Sequence, residues 1–200
     1  MKDRILILAP HTDDGELGVG ATAAKLTDDG NDVFYVAFSW CGNERLKDEA
    51  RKATGIIGVK TENLIMLDYQ VRHFEYHRQE ILDDMIRLRD DIRPGLVYCP
   101  LINDIHQDHQ TIAAEAIRAF KFSTILCYEL PWNNIQFNAT AFEIVSFDNL
   151  MLKKQAVIAY RSQSDRPYCT PDFIYSLATV RGIQCGVQYA ESFEVVRWIR

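Results

Sequence analysis

The sequence predicts a doubly wound, Rossmann-like α/β fold: a mainly parallel sheet with helices on both faces, in a single domain spanning residues 1–200. Three observations lead there. Short runs of Ile, Leu and Val alternate with stretches of helical period along the first half of the chain. The runs are continuously apolar, as strands covered on both faces are, where strands with one wet face alternate. Pro, Gly, Asn or Asp bounds each run. A chain of 200 residues, 48% hydrophobic and 25% charged, is large enough to bury a core without disulfide staples.

In chain order, strands are predicted at residues 5–9, 33–38, 64–67, 96–99 and 125–128. Between them, residues 20–29 read as a helix that stops at Gly30. Residues 44–57 place Leu46, Ala50, Ala53 and Ile57 on one helical face, and residues 77–92 do the same with Ile81, Met85, Leu88 and Ile92 before Arg93-Pro94-Gly95 ends the helix. Residues 109–120 carry Ile112, Ala113, Ala116, Ile117 and Phe120 at the same period. From Leu130 onward no linker or repeat is visible, so this part is expected to extend the same core, with strands at 143–147 and 193–199.

Twenty-two Lys and Arg against 28 Asp and Glu give a net charge of −6, which excludes a general attraction to nucleic acid or anionic membrane. The five cysteines are odd in number and form no Cys-x-x-Cys, so neither a disulfide framework nor a thiolate zinc knuckle is expected, and a reducing compartment fits. The first apolar run, residues 5–9, ends at Pro10, too short for a secretory segment or a membrane span. A cytoplasmic protein is expected.

In open α/β sheets ligands bind at the carboxyl ends of the strands. Two loops predicted to lie there are crowded with His and Asp. The first holds His11-Thr12-Asp13-Asp14-Gly15-Glu16, the second Asp104-Ile105-His106-Gln107-Asp108-His109. A catalytic zinc centre takes three nitrogen or oxygen ligands and keeps one position open for water. His11, Asp14 and one histidine of the second loop can supply them. The absence of thiolate from the set points to Zn2+ or another divalent transition metal such as iron or manganese. With His11 and Asp14 engaged, Asp13 faces a neighbouring direction and is left to act as general base on a bound water.

The stretch His11-Thr12-Asp13-Asp14-Gly15-Glu16-Leu17-Gly18-Val19-Gly20-Ala21-Thr22, paired with His106-Gln107-Asp108-His109, closely resembles the two signatures of the PIG-L/LmbE-like zinc-dependent N-deacetylases. The likeness extends through Glu49, Ile57-Gly58-Val59, Arg93-Pro94, Ser162-Gln163 and Tyr189-Ala190-Glu191-Ser192-Phe193, essentially the whole chain. The resemblance implies a hydrolase that removes the acetyl group from an N-acetylglucosamine-type amino sugar or its conjugate. It implies zinc on His11, Asp14 and His109, Asp13 as general base, His106 as a second catalytic group and Asp108 orienting a neighbouring imidazole. His106 is expected to be most useful as a cation held by Asp108 or Asp104 beside the developing oxyanion.

Thr12 and Gln107 stand where the family usually carries proline, and neither exchange removes a ligand. Leu46 stands where many relatives carry a substrate-binding arginine, and Arg45 beside it points about 100° away around the helix. Arg72, after the third strand, is the expected substitute. Trp132, after the fifth, is a candidate stacking platform for a sugar ring, with packing as its alternative role.

Two other functions use the same residues. Acidic groups at a strand end can hold magnesium for phosphoryl transfer, but magnesium prefers oxygen to imidazole and neither loop offers a basic phosphate clamp. The other is a non-catalytic binding domain that has kept a metal pocket. His73 and His77 are expected to be ordinary surface histidines, and Gly18 and Gly20 close-packing positions. The expected partner is a small N-acetylated amino sugar, and the sequence allows a homo-oligomer.

Overall fold

Side chains of the first strand point alternately into two separate cores. In the computed structural model, which describes residues 3–199, β1 (Arg4–His11) sends Ile5, Ile7 and Ala9 to one side and Leu6 and Leu8 to the other. All five are essentially inaccessible to solvent, which is why this strand reads as an unbroken apolar run. Parallel to it lie β2 (Asp32–Ser39), β3 (Leu64–Met66), β4 (Leu96–Cys99) and β5 (Thr124–Tyr128). Two antiparallel strands, β6 (Ala141–Ile144) and β7 (Ala190–Arg197), extend the sheet to the order β3-β2-β1-β4-β5-β7-β6.

One face is covered by α1 (Asp14–Asp28), α2 (Glu44–Ile56), α5 (Phe147–Ala159) and α6 (Pro171–Cys185). The other is covered by α3 (Arg78–Ile92) and α4 (Gln107–Ala119). The doubly wound, mainly parallel architecture is therefore as the sequence predicts. The chain order reverses direction between β1 and β4, and the carboxyl ends of these strands form the crevice in which such folds bind ligands. Among the described residues no helix is long and apolar enough to cross a membrane.

Two parts of the sequence reading need correction. Helix α1 starts at Asp14, six residues ahead of the expected position; Gly18 and Gly20 are close-packing positions as expected, and Gly15, expected in the loop, is a third. A Cβ on Gly15 would lie 2.5 Å from the Tyr35 ring, and one on Gly18 would collide with the Tyr128 ring. In the C-terminal part, the strand expected at 143–147 ends at Ile144 and Phe147 instead opens α5. Ser146 and Asn149 close a reciprocal capping box there, with Asn149 N donating to Ser146 Oγ at 3.1 Å and Ser146 N to Asn149 Oδ1 at 2.9 Å. Helix α6, also unforeseen, begins at Thr170-Pro171 and ends at Gly186, whose φ of +79° a side chain would strain. The last strand begins at Ala190 rather than Phe193.

Candidate metal centre and active site

Both polar loops leave the sheet at the crevice between β1 and β4. His11 is the last residue of β1, and its backbone N–H donates to Asp14 Oδ2 at 2.9 Å, closing the turn into α1. Asp13 occupies the N-cap position of α1. Across the crevice, His106 caps α4: its Nδ1 accepts from Asp108 N at 3.2 Å, while its own N–H donates to Asp104 Oδ1 at 2.8 Å. The first turn of α4 thereby presents Asp108 and His109 toward β1.

Three donor atoms converge. His11 Nδ1 lies 3.0 Å from Asp14 Oδ2, His109 Nε2 lies 3.2 Å from the same oxygen, and the two imidazole nitrogens are 3.4 Å apart. For bonds of about 2.0–2.1 Å to a tetrahedral zinc, ligand atoms should be separated by roughly 3.4 Å. The donor set therefore fits a divalent ion in both chemistry and spacing. Electrostatics agree. Burial would lower both imidazole pKa values, yet the Asp108 and Asp14 carboxylates raise His11 to about 9, and Asp14 with Asp104 raises His109 to about 10. The cluster calls for positive charge, which a divalent ion would supply in place of protons.

Each of these imidazoles is held from behind by a buried carboxylate. His109 Nδ1 meets Asp104 Oδ2 at 2.9 Å, and His11 Nε2 meets Asp108 Oδ2 at 3.1 Å. With the rear nitrogen donating, the front nitrogen keeps its lone pair for a metal, the usual carboxylate–histidine arrangement of metal ligands. His106 with His11 and Asp108 forms a second grouping of metal-ligating types. Asp108, however, already accepts from His11, Arg72 N at 2.6 Å and Phe74 N at 3.3 Å, which marks it as an orienting group.

The expected charge on His106 is not supported. Asp108 is 4.0 Å from its Nδ1 and committed to His11, while Asp104 is committed to His109. Burial and the neighbouring His109 and His11 push the His106 pKa down. With Nδ1 accepting from the α4 backbone, Nε2 carries the proton of a neutral imidazole.

A pocket of about 330 Å³ opens over the cluster, lined by Asp13, Arg72, His106, Trp132, Arg166 and Tyr168 among others. Asp13 is not free: Arg166 Nη1 lies 3.3 Å from its Oδ2. Burial and the adjacent Asp14 charge raise the Asp13 pKa, and Arg166 opposes them. Arg72 does line the pocket, and it holds a left-handed backbone (φ 66°) that a non-glycine residue seldom adopts. Trp132 is not an open platform, because Tyr168 stacks on it at 3.8 Å between centroids and 9° between planes. Leu46 faces the pocket, while Arg45 pairs with Glu49 outside it. His73 and His77 lie outside the cluster: His73 Nδ1 meets Val71 O and its ring lies near Tyr76, while His77 Nδ1 meets Glu80 and its ring lies 6.0 Å from that of Tyr69.

Below the pocket, Glu16 is fully buried and receives the Tyr35 and Tyr160 hydroxyls, which also approach Thr12 O. Burial raises its pKa to about 8, so it is largely protonated at neutral pH and forms a neutral pedestal under the His11–Asp14 turn. Sequence reasoning missed Arg166 and Tyr168, which lie in a stretch of 3₁₀ turns with no periodic signal. It also missed the pedestal, whose members are 19 and 144 residues apart from Glu16.

A doubly wound sheet with a His–Asp–His cluster at its switch point defines the class: an α/β protein built around a candidate metal centre. Residues 6–120, more than half the chain, match the family described as PIG-L, GlcNAc-PI de-N-acetylase, and the chain belongs to that family. Among curated relatives, the diacetylchitobiose deacetylase of Thermococcus kodakarensis is 27% identical over 225 residues, covering 96% of this chain and 83% of its own. A conserved protein of Thermus thermophilus superposes with a TM-score of 0.82 at 25% identity, over 100% of this chain and 97% of its own. GalB, the 4-carboxy-2-hydroxymuconate hydratase of Pseudomonas putida, shares the fold with a TM-score of 0.77 at 15% identity, covering 100% of this chain and 98% of its own.

Proposed function

We propose that the protein is a metal-dependent N-deacetylase that releases acetate from an N-acetylated amino sugar or its conjugate, with Zn2+ held by His11, Asp14 and His109. The observation that carries this reading is the convergence of three potential ligand atoms within 3.4 Å of one another beside a buried carboxylate outside that group, Asp13. A divalent ion bound there supplies Lewis acidity, bringing the pKa of water from about 15.7 toward roughly 7.

The chain's own groups account for the remaining needs of amide hydrolysis. Asp13, whose carboxyl is pushed up by burial and Asp14 and drawn back by Arg166, takes a proton from water as the oxygen attacks the acetyl carbonyl. His106 presents an Nε2–H donor to the carbonyl oxygen, which gains charge as the tetrahedral state forms, and a preorganised donor stabilises that state more than the substrate. Cleavage of the C–N bond requires a proton on the departing amine, and the proton gained by Asp13 is placed to supply it. Arg72 and the Trp132–Tyr168 stack bound the space for the sugar, the arginine as hydrogen-bond donor and the aromatic pair as an apolar wall.

The test is acetate release from a panel of N-acetylamino sugars and their conjugates, before and after metal removal and zinc restoration. Zinc-dependent release that disappears in Asp13→Ala is the expected result. Magnesium as the sole metal on elemental analysis, with phosphate rather than acetate released from phosphorylated substrates, would overturn the reading.

A further inference from the structure

Helix α1 is broken at Val19 (φ −140°, ψ 16°), one turn beyond Asp13 and Asp14, and the break is filled from outside the helix. In an unbroken helix the Leu17 carbonyl would accept from Ala21 N. Here Leu17 O accepts from Lys153 Nζ at 2.7 Å, Lys153 Nζ bonds Glu191 Oε1 at 2.6 Å, and Glu191 Oε1 accepts from Ala21 N at 3.2 Å. The next amide, Thr22 N, donates to Glu191 Oε2 at 2.7 Å. One ion pair thus stands in for a rung of the helical ladder, with the lysine supplied by α5 and the glutamate by β7. Both side chains are more than nine-tenths buried. Side chains inserted into the ladder are an established cause of sharp kinks.

We propose that Lys153 and Glu191 are positioning residues that wedge α1 open and so set the direction of its first turn, and with it Asp13 and Asp14. A buried ion pair is weak evidence for stability, since desolvation offsets most of its attraction. Direction is another matter. The segment before the break is a single turn, fixed below by Glu16 and at its far end by this pair. If the rung closed, the axis would straighten and the two aspartates would move relative to His109, which is held by the independent α4. A displacement of about 1 Å at a reacting group can cost on the order of 10²-fold in rate. This inference rests on the proposed deacetylase activity for its kinetic readout but not for its metal readout.

Lys153→Ala with Glu191→Ala lets the rung close. The expected result is a folded protein whose kcat falls about 10–100-fold with KM changed less than threefold, and whose metal-stripped form binds Zn2+ at least tenfold more weakly in competition with a chromophoric chelator. Should that variant fail to fold, Glu191→Asp keeps the charge but shortens the reach, and the same two readouts should fall while the melting temperature stays close to wild type. If kcat and zinc affinity per folded molecule match wild type in whichever variant folds, the pair is structural only and the inference fails. If zinc affinity falls but no substrate of any variant or of the wild type releases acetate, the wedge stands and the deacetylase reading falls.

Discussion

Asp108 offers a graded test of how the proposed metal ligands are oriented. Its Oδ2 accepts from His11 Nε2 at 3.1 Å and Arg72 N at 2.6 Å, its Oδ1 from Phe74 N at 3.3 Å, and it is inaccessible to solvent. In Asp108→Asn the amide can keep one oxygen. Turned toward His11 and Arg72, that oxygen retains the two shorter contacts and sets its NH2 against Phe74 N–H, the longest of the three. His11 then keeps its tautomer, but on a neutral acceptor about half as strong as a carboxylate. Zinc affinity should fall about tenfold, or roughly 1.4 kcal/mol. In Asp108→Ala nothing holds the proton on Nε2. The tautomer with hydrogen on Nδ1 points that hydrogen at the proposed metal position, and the part-buried Arg72 N–H and the buried Phe74 N–H lose their acceptor. A loss of about 100-fold, roughly 2.7 kcal/mol, is expected. The assay is competition of metal-stripped protein against a chromophoric chelator, with circular dichroism and melting temperature establishing that each variant is folded. The order wild type, Asn, Ala is required. Affinities equal within threefold across the series would refute the reasoning and move Asp108 from orientation to the chemistry itself.

Asp13→Ala should bind zinc within tenfold of wild type while kcat drops about 10²–10⁴-fold, whereas His109→Ala should lose metal and activity together; loss of metal in the Asp13 variant would make Asp13 a ligand. Gly18→Ala must push the Tyr128 ring aside, and because that tyrosine donates to Leu8 O at 3.0 Å inside the core, a loss of about 1–3 kcal/mol is expected by denaturant unfolding. The Cys169 thiol is pushed up to about 12 by burial and the nearby Asp13 charge. Its thiolate fraction therefore stays very small until well above pH 10, and mass spectrometry after iodoacetamide treatment at pH 8 should find the exposed Cys185 labelled well before Cys169.

The parts of the molecule legible in the sequence are those where one physical signal dominates. Of the five parallel strands, β1, β2, β4 and β5 are largely buried on both faces, so burial alone writes them as apolar runs, while the edge strand β3 is half-buried; α2, α3 and α4 each carry a one-sided stripe. The ligand loops were legible because His and Asp are concentrated within a few residues of a predicted strand end. Where two constraints compete, the reading failed. The first turn of α1 presses Gly15 against the Tyr35 ring, and a glycine among His and Asp residues reads as loop where close approach is the reason for it. Helices α5 and α6 lie in a region where caps, not periodicity, fix the boundaries. The pairing of carboxylates with imidazoles was half legible: an orienting role for Asp108 was expected, but its choice of His11, 97 residues away, over the adjacent His106 depends on how α4 docks against β1. Arg166 has no local signal at all, since its contact with Asp13 spans 153 residues.

The likeness to a hydratase at 15% identity marks the point at which fold ceases to inform about reaction. What this frame fixes is geometry: two loops brought together at one switch point, and a short helical turn aimed between them. The reaction then depends on what the pocket wall allows to approach. In this chain the wall combines a strained Arg72, the stacked Trp132 and Tyr168, and an arginine already lying against the proposed base. Under the proposed function a substrate must fit beside Arg166 without drawing it off Asp13, because that guanidinium opposes the upward push of burial and Asp14 on the carboxyl. Arg166 both lines the pocket and lies against the proposed base, so a substitution there that alters substrate preference is expected to alter the rate as well.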